Sequence, residues 1–174
     1  MMNKPNFTIR PAETDDAHEI VDMQRALANY CDYDMSKFGI EHETVRKIVT
    51  SEPQSRLYIA HAEDYRPAGM MLCHRIPLAW SGASGVYIED LFVWKRYRNG
   101  SGLGKLLVAE ACKLAVEYAE GDGERAYVRL DTSIEENDAT LGFYEHGLSM
   151  EAHNYNFRLA GAAVVELAAQ ATTD

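Results

Sequence analysis

The stretch that most constrains the fold runs from Tyr87 to Lys105, YIEDLFVWKRYRNGSGLGK. Tyr87 to Val93 is rich in β-branched and aromatic residues, which suit a pleated surface. Arg96 to Gly104 then holds two arginines and three glycines. From Leu103 the apolar residues Leu103, Leu107, Ala111, Leu114 and Tyr118 recur at steps of four, four, three and four, which marks the buried face of an amphipathic helix. The order is strand, glycine turn, helix. A helix entered through such a turn presents backbone N–H groups with no intrahelical acceptor, and its dipole favours negative charge there. Glycines let the backbone approach a ligand with no Cβ in the way. The stretch therefore predicts a phosphate or diphosphate site at Asn99, Gly100, Ser101, Gly102, Leu103, Gly104 and Lys105.

Two common phosphate motifs do not fit. The P-loop pattern fails because Gly100 has no second glycine five residues on, and Leu106 follows Lys105 where a Mg²⁺-binding hydroxyl is needed. Gly100, Gly102 and Gly104 give G-x-G-x-G, not the dinucleotide pattern G-x-G-x-x-G. The text IEDLFV…YRNGSGLGKLL instead resembles the acetyl-CoA-binding motif [RQ]-x-x-G-x-[GA] of the GNAT N-acetyltransferases, with strand, loop and helix in the same order. It departs at one point. With Gly102 and Gly104 as the motif glycines the first position is Asn99, and Arg98 sits one residue early, as a one-residue insertion would place it.

Composition narrows the function classes. The chain has 174 residues, 47% hydrophobic and 25% charged, which suits one soluble domain spanning 1–174. The net charge of −10 argues against a nucleic-acid surface, which needs Lys and Arg to neutralise phosphates. It suits a cationic substrate or simply aids solubility. No apolar run approaches the ~20 residues that span a bilayer, and the N-terminus lacks a signal-peptide core. Cys31, Cys73 and Cys112 fit neither a disulfide framework nor a zinc site, and Cys112 reads as helix packing. The six histidines include no H-x-x-x-H pair, so no metal is expected. A cytoplasmic protein without membrane or nucleic-acid partners follows as the expectation.

Along the chain, Phe7 to Arg10 reads as a strand and Ala17 to about Tyr30 as a helix with Thr14 as N-cap. Glu41 to Thr50 reads as a second helix, and Cys31 to Gly39 between them as either an acceptor-pocket lining or a plain connection. Arg56 to Ala62 and Gly69 to Ile76 read as strands, the latter limited by Pro77, with WSGASG at 80–85 as the hairpin loop before Tyr87 to Val93. Short connections predict antiparallel pairing here. Gly121 and Gly123 close the long helix, and Ala126 to Asp131 is the next strand, parallel to Tyr87–Val93 as in a βαβ unit. A loop at 134–138, a helix from Ala139 to His146 and strands at Leu148–Ala152 and Asn154–Leu159 complete the reading, with 160–174 a C-terminal extension. The predicted fold class is α/β (α+β): a mixed, largely antiparallel central sheet with helices on both faces. The GNAT resemblance, strongest over Ile88 to Leu159, implies the same fold with a βαβ acetyl-CoA-binding core.

The second half carries three features with chemical content. In NDATLGFYEHG, Asn137 precedes Tyr144 by seven residues, similar to the family's N-x-x-A-x-x-[FL]-Y segment with Thr140 in place of alanine. The resemblance implies that Tyr144 is the general acid for the leaving thiolate and that Asn137 binds CoA. A phenol of pKa roughly 10 can lend a proton to a thiolate of parent pKa roughly 8.5. Read alone, Tyr144 also suits an aromatic core position and Asn137 a helix N-cap. Second, Glu89 and Asp90 are adjacent carboxylates in mid-strand, a poor place for acids. A primary amine of pKa near 10.4 is only about 0.04% neutral at pH 7, so attack on a thioester needs a base. IEDLFV resembles the polyamine and diamine acetyltransferase branch. There these acids are the proposed base and amine-binding group, which implies Glu89 as base and Asp90 as substrate contact. A salt bridge to Lys95, Arg96 or Arg98 is the plain alternative, and a β-bulge would redistribute the two roles. Third, the resemblance implies that the backbone of Leu91, Phe92 and Val93 pairs with pantetheine and that one amide polarises the thioester carbonyl.

The sequence thus leads to an acetyl-CoA-dependent N-acetyltransferase, with direct transfer to a small-molecule amine: a polyamine, diamine or amino-acid-like compound. Protein, peptide or aminoglycoside acceptors are the alternative within the fold, and a non-catalytic CoA-binding regulatory domain is the alternative outside catalysis. A homodimer is the family habit.

Overall fold

The computed structural model of the chain describes residues 6–78, 83–98, 100–122, 124–132 and 138–152. The chain divides into two compact units, Met1–Thr132 and Ser133–Asp174. The first contains β1 (Phe7–Pro11), α1 (Ala17–Tyr30), α2 (His42–Ser51), β2 (Ser55–Ala62), β3 (Pro67–Leu78), β4 (Ala83–Val93), α3 (Leu103–Tyr118) and β5 (Val128–Leu130). The sheet order is β1-β2-β3-β4-β5. The first three pairings are antiparallel, and β4 with β5 is parallel. This is the mixed sheet that the sequence predicts, with α3 as the crossover.

Helices cover both faces. On one, Ile20 and Met23 of α1 and Val45 of α2 pack with Leu57, Ile59, Met70, Leu72 and Phe92 of the sheet. On the other, Leu103, Leu107 and Ala111 are the buried stripe of α3, and Leu107 lies against Gly69 of β3. Alternation along β3 explains the division: Met70 and Leu72 face α1, and Met71 and Cys73 take the other side. Cys112 lies in α3 as expected, but it is exposed and not packed.

Several boundaries differ from the sequence reading. Thr14 is not the N-cap of α1. It belongs to a 3₁₀ turn over Thr14–Asp16, and Asp16 takes the N-cap position. The Asp16 carboxylate accepts the Glu13 N–H at 2.7 Å and both Arg10 guanidinium nitrogens at 2.6 and 2.8 Å. Burial pushes its pKa up, but the Arg10 and Glu13 hydrogen bonds bring it below the ordinary value. Pro77 does not end β3, which runs to Leu78. The Arg75 N–H bonds Gln54, on the β2 side. By alternation the missing N–H of Pro77 lies on that same side, beyond the last β2 pair, Ser55↔His74. Ala83 to Gly85 belong to β4 and not to the hairpin loop.

The second unit holds α4 (Asp138–Gly142), which continues as a π-helical turn over Phe143–Gly147. The expected single helix at 139–146 is therefore wound in two ways. Leu148–Ala152 forms no strand, and Ser149 has a positive φ of 55°, outside the β region. The strand expected at Asn154–Leu159 lies outside the described residues.

Candidate active site

The site is built on an irregularity in β4. Leu72 pairs with Asp90, but the next β3 residue, Cys73, pairs with Ile88. Glu89 is the extra residue of a β-bulge. In a regular strand Asp90 would share a face with Ile88. The bulge resets the alternation, so Asp90 joins Leu72 and Phe92 on the face covered by α1. Glu89 itself is exposed.

On that face the Gln24 side-chain amide donates to Asp90 Oδ2 at 2.9 Å. Gln24 is a buried polar residue on α1. Burial pushes the Asp90 carboxyl above its ordinary value, while Gln24 and nearby His74 pull the other way. His74 is held from behind, its Nδ1 at 2.9 Å from the Ser55 hydroxyl. One turn of the pleat before the bulge, the Tyr87 hydroxyl donates to Asp131 at 2.9 Å. Burial and Asp131 push that phenol up to about 12.

The same strand opens a backbone edge. β5 pairs with β4 only at Val86↔Val128, Tyr87↔Arg129 and Ile88↔Leu130. β4 continues to Val93, still paired with β3 on its other side. The Trp94 N–H bonds Ala68 of β3, so by alternation the polar groups of Leu91 and Val93 point away from β3. Among the described residues no strand meets them on that side. They form a ready place for an extended ligand to add as a strand.

The glycine turn follows. Gly100 and Gly102 have φ of 100° and 81°, in the left-handed region that glycine tolerates best. Nothing lies within 4 Å of a Cβ built on either, so their approach side is open. Ser101 does turn chemistry: its hydroxyl donates to the Tyr97 carbonyl and accepts the Leu103 N–H. The Leu106 N–H bonds the Gly102 carbonyl at 3.1 Å. The amides of Gly104 and Lys105 have no intrahelical acceptor. This is the glycine-led helix entry that the sequence predicts.

Arg98 does something the motif does not suggest. Its Nε–H donates to the Val93 carbonyl at 2.7 Å. Its guanidinium carbon lies 4.6 Å from the Tyr30 ring centroid and 5.6 Å from that of Phe92.

The first unit thus brings together Glu89, Asp90, Leu91, Phe92, Val93, Arg98 and Gly100 to Lys105. Tyr144 lies in the second unit, half-buried in the π-helical turn, with its carbonyl accepting the Met150 N–H at 3.0 Å and its ring 5.2 Å from that of Phe143. Asn99 and Asn137 lie outside the described residues. Sequence reasoning missed Gln24, Tyr30 and His74. Gln24 alone carried a signal: it is a polar residue on the apolar stripe of α1, beside Ile20 and Leu27.

One further cluster brings ligand atoms of Asp16, Glu19 and His61 within 4.8 Å of one another. Both Asp16 oxygens are already bonded to Arg10, and His61 lies 3.0 Å from Glu19. That arrangement ties the start of α1 to β1 and β2.

The sequence model of the acetyltransferase (GNAT) family matches residues 18–149. The chain belongs to this GNAT acetyltransferase family. Solved structures agree on the fold. An aminoglycoside acetyltransferase, meta-AAC0020, from an uncultured soil metagenomic sample, crystallised with trehalose, superposes with a TM-score of 0.69 at 18% identity over 88% of this chain and 95% of its own. A possible acetyltransferase from Clostridium difficile 630 gives 0.69 at 18% identity, covering 89% and 97%. A transcriptional regulator from Bacillus halodurans C-125 gives 0.68 at 23% identity, covering 90% and 100%. No curated protein matches the sequence. Membership makes this GNAT protein an acyltransferase, with acetyl-CoA implied as co-substrate and an amine as acceptor. Among the described residues no helix is long and apolar enough to cross a membrane.

Proposed function

We propose that this GNAT enzyme transfers acetyl from acetyl-CoA directly to a primary amine of a small cationic molecule, of the polyamine, diamine or amino-acid-like kind. The observation that carries the reading is the geometry of β4. One strand offers vacated backbone groups at Leu91 and at the Val93 N–H, and, beside them, a carboxylate turned inward by a bulge. In this reading pantetheine adds along Leu91–Val93, one amide polarises the thioester carbonyl, and the diphosphate meets the amides of Gly100 to Lys105. Asn99 and Asn137 are proposed as further cofactor-binding residues. Tyr144 is the general acid for the departing thiolate.

The two carboxylates divide their work in the order opposite to the one that resemblance implies. Asp90, with its pKa raised by burial, is the better matched base for an ammonium. Exposed Glu89 holds the cationic acceptor. The pH profiles of Asp90→Asn and Glu89→Gln decide this. The base variant loses the rise of kcat/KM with pH; the contact variant keeps that rise and shows a higher acceptor KM. Tyr144→Phe lowers kcat with little change in acetyl-CoA affinity, and an unchanged kcat removes Tyr144 from the acid role. A cytoplasmic location and a homodimer complete the proposal; sedimentation measures the latter.

A further inference from the structure

We infer that Arg98 is a positioning residue for the thioester slot and not a ligand of the cofactor diphosphate. The inference rests on the proposed reading that pantetheine runs along the vacated edge of β4. Arg98 is the arginine nearest the motif's first position, where a cation would ordinarily be assigned to the phosphates. The structure points it the other way. Its Nε–H is spent on the Val93 carbonyl at 2.7 Å, one of the polar groups on the edge that β5 leaves. Its guanidinium carbon lies 5.6 Å from the ring centroid of Phe92 on β4 and 4.6 Å from that of Tyr30, the last residue of α1.

Three consequences follow. First, the bond fixes the end of β4 after its pairing with β5 has ceased, where a strand edge otherwise relaxes or twists. Second, it occupies the Val93 carbonyl, so an incoming extended ligand takes its hydrogen bonds at Leu91 and at the Val93 N–H. That sets the register in which a thioester lies against Asp90. Third, the Tyr30 contact joins this slot to the end of α1, the helix that supplies Gln24 to Asp90. One guanidinium therefore touches the strand that receives the acyl group and the helix that orients the acid. A planar, delocalised cation suits this task, and an ammonium does not, because the group donates from Nε while its plane lies near two aromatic rings.

The cofactor can be tested in halves. S-acetylpantetheine carries the thioester without the diphosphate, and ADP carries the diphosphate without the thioester. Arg98→Ala should lower kcat/KM about 10- to 100-fold with acetyl-CoA and with S-acetylpantetheine alike, the loss of one charge-assisted hydrogen bond. The Kd for ADP, measured by calorimetry, should stay within about twofold of wild type. Arg98→Lys, which keeps the charge, should not restore turnover. Tyr30→Leu, which removes one stacking face without touching the loop, should reproduce the pattern at smaller size and serves if Arg98→Ala does not fold. Overturning results are an ADP affinity that falls tenfold or more with S-acetylpantetheine turnover kept, or full rescue by lysine. A wild-type chain that binds neither ADP nor CoA would bring down the underlying cofactor reading as well.

Discussion

At the scale of single residues, the proposed chemistry turns on the Gln24–Asp90 pair. Gln24 lowers the pKa of an acid that burial raises. Gln24→Leu should therefore raise the Asp90 pKa further and move the midpoint of the kcat/KM rise to higher pH, with the acetyl-CoA KM unchanged. An unmoved midpoint would detach Gln24 from the reaction. The same shift makes a stability statement. An acid whose pKa is higher in the fold than in the unfolded chain contributes most below its unfolded value, and that contribution is lost as pH rises through the folded value. Asp90→Asn should thus gain unfolding free energy relative to wild type as urea titrations move from acid to neutral pH. A pH-independent difference would contradict this. Asp16 has the opposite sign: its pKa is lowered, so its stabilisation is present at neutral pH and lost as pH falls through the folded value. The Gln24–Asp90 pairing was not legible in sequence, because the two residues stand 66 positions apart and meet only through α1 packing on β4.

At the scale of elements, β4 carries the account. Its existence, its direction and its place before the glycine turn were legible from β-branched residues and the helical repeat that begins at Leu103. Its bulge was not. Adjacent carboxylates in mid-strand hinted at something irregular, but which residue is extra depends on pairing with Leu72 and Cys73. The start of β4 was also obscured by glycine. Gly85 reads as loop, yet it is buried in the strand because the Tyr127 ring crosses it, and a Cβ there would collide with that ring. The Tyr127 hydroxyl then reaches the Ile76 carbonyl at 3.1 Å. Gly85→Ala should displace Tyr127 and destabilise the fold by about 1–3 kcal/mol in denaturant titrations. A neutral outcome would mean that the ring moves aside without loss. At the turn, Gly102→Ala meets no steric obstacle but must adopt a φ of 81°. It should cost about 1 kcal/mol of stability. Acetyl-CoA affinity should fall with it.

At the scale of the whole molecule, the mixed sheet with helices on both faces was legible because hydrophobic period and turn residues agree over most of residues 7–131. The chain after Asp131 was not legible in the same way. Helical spacing at 139–146 is real, but it does not distinguish α from π winding, and the alternation at Leu148–Ala152 has no partner strand among the described residues. Because ligand that binds only the folded chain stabilises it, acetyl-CoA at about 100 times its Kd should add roughly 2.7 kcal/mol to unfolding and raise Tm accordingly. The most direct measurement is release of free thiol from acetyl-CoA across a panel of primary amines, with the acetylated amine quantified alongside. The account predicts thiol and acetyl-amine in equal amounts with at least one small cationic amine, rising with pH in wild type and not in Asp90→Asn. Tight binding of acetyl-CoA with no thiol released on any amine would contradict it.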